Sequence, residues 1–228
     1  MNAPMSPPTA AEEMIPAWVD GRLQPVGKLE VHVKGLRHKA VSVFVLAGTR
    51  VLIQQRALAK YHTPGLWANT CCTHPRWDED PGSCAVRRLR EELGITGLFP
   101  AFADRVEYRA DVGGGLVEHE LVDIFVAEAP AELTIAPNPD EVAAVRWVDL
   151  YDLSAEVLRN PERFTPWLRI YLAEHMDRIF GSLVAGRGGR AAGRGQARAS
   201  LSSRLSRVPR VRLGCRGFTP DPRVFGPR

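Results

Sequence analysis

Two stretches of the chain hold the side chains best suited to chemistry. In the first, Leu116–Ala127, the two-residue period of an extended chain puts Glu118, Glu120, Val122, Ile124 and Val126 on one side. Carboxylates on an otherwise apolar face are costly unless they bind a metal or do chemistry. The second, residues 60–82, is rich in Pro, Gly, Trp, Cys and His and shows little periodicity. That is loop composition, and long loops in compact domains are often functional. It carries Cys71, Cys72 and His74. A thiol there can move protons, although most free cysteines are simply small buried hydrophobes. Just beyond, Arg88 and Glu92 stand four apart and share a face of any helix built there.

Those side chains need a scaffold, and the pattern predicts one. Ile15–Val19 before Asp20-Gly21 reads as a first hairpin strand. Ala40–Leu46 is rich in β-branched residues and predicts a buried strand, turned at Gly48-Thr49 into Val51–Gln55. Ser83 is placed to cap a helix running to Leu93 and closed by Gly94, with Ala85, Val86, Leu89 and Leu93 toward the core. Val106–Ala110, Leu116–Ala127 and Val142–Val148 read as further strands. Pro161 to Phe180 predicts one amphipathic helix, with Phe164, Trp167, Leu168, Tyr171, Leu172 and Ile179 in register.

Charge divides the chain. The 228 residues carry a net +4, but residues 1–180 hold 19 Lys+Arg against 25 Asp+Glu. Residues 181–228 hold 11 Arg against the single acid Asp221. The expected organisation is therefore a flexible arm over 1–13, a domain over 14–180, and a basic Gly/Arg-rich tail over 181–228. The tail has too few large apolar residues to offset chain entropy and is expected to be disordered. It invites an RNA-binding reading, weakly, because only Phe218 and Phe225 offer stacking. The start has no basic n-region or apolar core, so no secretory signal is expected. No apolar stretch approaches a bilayer span, so no membrane partner is expected. Cys71, Cys72, Cys84 and Cys215 match no disulfide framework, which favours a reduced, cytoplasmic setting.

Thr73, then Glu79, then Arg87-Arg88-Leu89-Arg90-Glu91-Glu92-Leu93-Gly94-Ile95 resembles the Nudix box, G-x5-E-x7-R-E-U-x-E-E-x-G-U with U bulky and apolar. Its logic is a loop–helix–loop that lines carboxylates on one helix face to hold divalent cations against a diphosphate. Two positions depart from it: Thr73 replaces the first Gly and Arg88 the Glu of the R-E pair. The second change removes a metal ligand and adds a diphosphate-binding fork, which argues for gripping diphosphate without hydrolysing it. Further motifs sharpen the resemblance. Gln55-Arg56-Ala57-Leu58-Ala59-Lys60, Pro64-Gly65-Leu66-Trp67, Trp67-Ala68-Asn69-Thr70-Cys71-Cys72-Thr73-His74-Pro75, Tyr108-Arg109-Ala110, Glu118-His119-Glu120 and Thr165-Pro166-Trp167 occur in order. Together they resemble the type 1 isopentenyl-diphosphate isomerase family, from about Ile15 to Phe180.

The resemblance implies an α/β Nudix-like fold, a mixed central sheet flanked by helices. It implies reversible conversion of isopentenyl to dimethylallyl diphosphate, with a small allylic or homoallylic diphosphate as partner. Cys72 and Glu120 become the opposing acid/base residues, assisted by Tyr108, while Cys71 is assigned to packing. His32, His38, His74, Glu118 and Glu120 become a site for Mn²⁺, Zn²⁺ or Mg²⁺. His32 is the least secure of these and His119 the fallback. Glu92 and the Cys72 carbonyl are implied holders of a second, substrate-bridging Mg²⁺. Lys28, Arg56, Lys60 and Arg88 match diphosphate-binding positions. Trp167 is expected over the hydrocarbon end, where its π-face favours developing positive charge, and Trp67 on the pocket wall. Monomer and dimer are both left open. The nearest rival is a Nudix pyrophosphohydrolase acting on a nucleoside diphosphate derivative.

Overall fold

The computed structural model describes residues 13–185, and side chains within them up to residue 181. The tail beyond Ala185 and the arm before Glu13 lie outside the described residues. Glu13 itself binds Lys28 Nζ at 2.8 Å, so the arm's last residue belongs to the domain. The final helix runs five residues past the expected boundary at 180.

Strand β3 (His38–Ala47) organises the fold. It pairs in parallel with β8 (Leu116–Glu128), antiparallel with the short β6 (Cys71–Thr73), and through a tight turn with β4 (Arg50–Arg56). Outward from there, β7 (Ala101–Gly113) pairs β8, and β9 (Val142–Asp149) and β5 (Trp67–Ala68) pair β4. The hairpin of β1 (Met14–Val19) and β2 (Arg22–Gly27) meets β3 at His38. The sheet is mixed, as expected. Residues 60–82, read as loop, contribute both β5 and β6: short strands of two and three residues leave no period to detect.

Helices cover both faces. Along β3, Ala40, Phe44 and Leu46 point to a core with α3 (Leu150–Arg159), α4 (Pro166–Glu174) and α5 (Met176–Ala185). Val41, Val43 and Val45 point the other way, onto α2 (Pro81–Leu93). Helix α1 (Lys28–Lys34) and α3 are absent from the expectations above. α1 is only seven residues long, too short to show a helical period. The single helix expected over 161–180 is three pieces: a 3-10 turn at Pro161–Arg163, then α4, then α5 after a break at His175.

Helix α2 ends at Leu93 and Gly94 as expected but starts earlier than expected. Asp80 caps it, accepting from the Ser83 N–H at 2.9 Å, and Pro81 takes the first turn. Ala85, Leu89 and Leu93 are buried, while Val86 turns outward. Gly94 closes the helix in the left-handed region at φ +64°, where a side chain is strained. A Cβ there would also lie 2.8 Å from both Cβ and carbonyl O of Ala136. That neighbour is fixed by its own N–H to the Leu93 carbonyl at 2.7 Å. Gly94→Ala is expected to destabilise the domain by about 2–4 kcal/mol, backbone strain plus overpacking, read as a lower denaturation midpoint in urea at unchanged slope.

Candidate active site

The parallel register of β3 and β8 places His38 opposite Glu120. Both lie on the sheet face that carries Val122, Ile124 and α4. α1 then swings His32 over Glu118, and β6 brings His74. Donor atoms of His32, His38, His74 and Glu118 all lie within 4.8 Å of one another. All four residues are buried. His32 Nδ1–H donates to the Lys28 carbonyl at 2.6 Å and His38 Nδ1–H to that of Leu36 at 2.8 Å. A carbonyl only accepts, so each ring turns Nε2 inward. Those Nε2 atoms stand 3.1 and 3.3 Å from Glu118 Oε2. None of the three atoms has a hydrogen-bond partner. Buried polar atoms without partners, converging on one point, are what a cation would satisfy. The donor set fits a divalent metal ion. Glu120 completes the ring, its Oε1 3.0 Å from His74 Nε2 and 3.6 Å from His38 Nε2.

The electrostatics point the same way. Burial opposes charge on Glu118 and Glu120, yet the surrounding imidazoles hold both carboxyls below their ordinary range. Burial would lower His38 too, but Glu118 and Glu120 outweigh it and push the ring up to about 10. The carboxylates thus demand positive charge, a proton on His38 or a metal in its place.

Adjacent cysteines take opposite faces of β6. Cys71 points into the α2 core and donates to Glu92 Oε1 at 3.3 Å. Cys72 lies across from Ser42 on the α4 side and is half-buried at the cleft. Its Sγ is 2.9 Å from Ser42 Oγ and donates to Asn69 Oδ1 at 3.0 Å. Asn69 is itself anchored to the Val43 and Cys71 carbonyls. Burial, then the Glu120 charge, raises Cys72 far above an ordinary thiol, so it keeps its proton. Register pairs Tyr108 with Glu120, and the phenol donates to Oε2 at 2.5 Å. Burial and that same carboxylate keep Tyr108 protonated.

A narrow cleft of about 30 Å³ opens over this cluster. Cys72, His74, Glu118, Glu120 and Trp167 line it, and Lys28, Arg56, Lys60 and Arg88 form its cationic side. Those four come from α1, the end of β4, the following loop and α2, and each already meets an acceptor. Lys28 binds Glu13, Lys60 binds Glu141, and Arg88 forks to Glu92 Oε1 at 2.7 Å and to Glu91 at 3.0 Å. Arg56 NH2 donates to the His62 carbonyl at 3.2 Å, and its guanidinium lies 5.4 Å from the Trp167 ring centre.

The structure thus gathers His32 with the cluster and leaves His119 outside it. On β8, His119 falls between the two glutamates, hence on the opposite face, where it meets Glu107 at 3.5 Å. Glu92 does not itself line the cleft: it is buried beneath Arg88, which does, and bonds Gln54 and Cys71. Trp67 is not among the lining residues either. It packs on Arg146 at 4.7 Å, and its carbonyl accepts from Thr165 N–H, which positions the loop before Trp167. Sequence reasoning passed over Tyr61, which lines the cleft, and Ser42, which holds Cys72, and gave no site role to His62 and Thr73, which also line it. Glu141 was also passed over. None repeats a pattern, so only folding marks them.

The NUDIX domain family matches residues 36–168. An isopentenyl-diphosphate Delta-isomerase of Dinoroseobacter shibae is 73% identical over 173 residues, covering 76% of this chain and 98% of that protein. One of Cereibacter sphaeroides is 75% identical over 171 residues, covering 75% and 97%. A solved structure from Deinococcus radiodurans shares the fold with a TM-score of 0.56 at 16% identity, covering 74% of this chain and 99% of that one. With the altered Nudix helix, the Cys72 loop and the paired glutamates of β8 in one cleft, the chain belongs to the type 1 isopentenyl-diphosphate Delta-isomerase family of the Nudix superfamily.

Proposed function

We propose that the chain interconverts isopentenyl and dimethylallyl diphosphate by moving a proton at each end of the allylic system, with Cys72 and Glu120 as the two acid/base groups. The observation that supports it is one cleft holding a protonated thiol and an ionised carboxylate beside four cationic side chains. Isomerisation protonates one carbon and deprotonates another, through a state of tertiary carbocation character. Cys72 holds a proton to give, and Glu120 is free to take one. Tyr108 steadies the Glu120 carboxylate by donating to its Oε2. Trp167, 2% exposed, presents an apolar wall whose ring favours positive charge. Lys28, Arg56, Lys60 and Arg88 exchange their present partners for phosphate oxygens. Arg88 stands where Nudix hydrolases place a metal-holding Glu, which argues for binding diphosphate intact.

His32, His38, His74, Glu118 and Glu120 would hold Mn²⁺, Zn²⁺ or Mg²⁺. When bound, that ion supplies the charge that orients both carboxylates and sets the proton affinity of Glu120. A substrate-bridging Mg²⁺ would draw on Glu92, once Arg88 turns to the diphosphate, and on the Cys72 carbonyl. Among the described residues no helix is long and apolar enough to cross a membrane. The free thiols of Cys71, Cys72 and Cys84 suit a reducing cytoplasm.

Proton NMR of isopentenyl diphosphate with the protein and Mg²⁺ in deuterated water tests the reading. Dimethylallyl diphosphate carrying deuterium is the expected product. Release of inorganic phosphate without isomer would instead select a hydrolase.

A further inference from the structure

The family motifs run to Lys60 and resume at Pro64, so they leave His62 without a role. The fold places it deep in the site. It is 7% exposed, and its Nε2 lies 3.2 Å from Glu118 Oε1. That is the oxygen turned away from His32 and His38, which both face Oε2. The His62 ring stacks on His32 at 5.4 Å and meets the edge of Trp167 at 6.1 Å.

We propose that His62 is a positioning residue for the metal site, donating from Nε2–H to Glu118 Oε1 so that Oε2 stays aimed at the metal. Three features support the assignment. His62 Nδ1 sits 3.2 Å from Thr63 Oγ1, and a hydroxyl donating there leaves the ring proton on Nε2. Thr63 is held at φ +45°, a costly conformation for a β-branched residue, and this backbone strain fixes the approach of the ring. The His62 carbonyl accepts from Arg56, so one residue ties the metal-binding carboxylate to the diphosphate-binding guanidinium. Carboxylates that ligate metals are themselves hydrogen-bonded, and loss of such a partner typically weakens metal binding about 10–100-fold.

This inference rests on the metal site described above, and its test separates the two. Mn²⁺ binding to the full chain is followed by EPR titration for the parent protein and for His62→Leu, His62→Gln and His38→Ala, with far-UV circular dichroism on each. His62→Leu keeps the bulk and loses the donor, and its Mn²⁺ affinity is expected to fall by about 10–100-fold. His62→Gln keeps an N–H that can reach Oε1 and is expected to recover most of that loss. Parent-like affinity in His62→Leu overturns the proposal. Equal weakness of the Gln and Leu variants also overturns it, since that pattern belongs to a direct imidazole ligand. If His62→Leu does not fold, the Gln variant decides alone: parent-like affinity supports the donor role and a tenfold loss removes it. Parent-like affinity in His38→Ala would instead overturn the metal site itself.

Discussion

Cys72→Ala is expected to lower isomerase turnover by about 10²–10⁴-fold, the usual worth of a positioned proton-transfer group, with little change in melting temperature. The thiol is set for the task by its neighbours. Ser42 and Asn69 hold Sγ at 2.9 and 3.0 Å, and burial with the nearby Glu120 charge keeps the proton on sulfur. Removing it leaves no buried charge. Ser42 retains its second partner, the Tyr171 hydroxyl at 3.0 Å. Asn69 retains its two backbone carbonyls. Folding should therefore survive while chemistry fails. Cys71→Ala is the matched control: it faces the α2 core, and its loss should cost stability rather than turnover. Steady-state kinetics and thermal melts of the pair decide the matter. A Cys72→Ala protein turning over within tenfold of the parent would sink the role given to Cys72.

Glu120→Gln is expected to cost a comparable factor, about 10²–10⁴-fold in turnover, and to weaken metal binding as well. Glu120 accepts the Tyr108 hydroxyl at 2.5 Å on Oε2 and turns Oε1 toward the metal site, 3.0 Å from His74 Nε2. A carboxylate serves both and can still take a proton. An amide offers one oxygen and one N–H, so either Tyr108 or the metal site meets a donor, and no basic site remains. Because each turnover needs both Cys72 and Glu120, their losses should not multiply. The double variant is expected to be about as slow as the slower single variant, which parallel single-turnover measurements would show. A double variant slowed by the product of the two factors would mean that the residues act independently.

The local layers of this fold were readable in the chain. Alternation along Leu116–Ala127 put Glu118 and Glu120 inward, and burial of both confirms the face. The spacing of Ala85, Leu89 and Leu93 gave the buried stripe of α2. These succeeded because each pattern is a period within a single element. Failures fell where no period could form. α1 is too short to register, so the helix that carries His32 went unread. The N-cap of α2 and the breaks of the 161–180 region depend on one or two residues each.

By itself, then, the sequence determined the kit of the site: the Nudix-like helix with Arg88, the Cys72 loop, two inward glutamates and the cations that flank them. Only the tertiary structure decided which of those pieces meet. His38 faces Glu120 through a parallel pairing of strands some eighty residues apart. Ser42 meets the Cys72 thiol from a strand thirty residues earlier in the chain. His62 reaches Glu118 from a loop that has no periodic signal. Side-chain periodicity is a property of neighbours along the chain, and encoding it takes only a few residues. Strand register and loop placement arise from burial summed over the whole core, which no local window of residues contains.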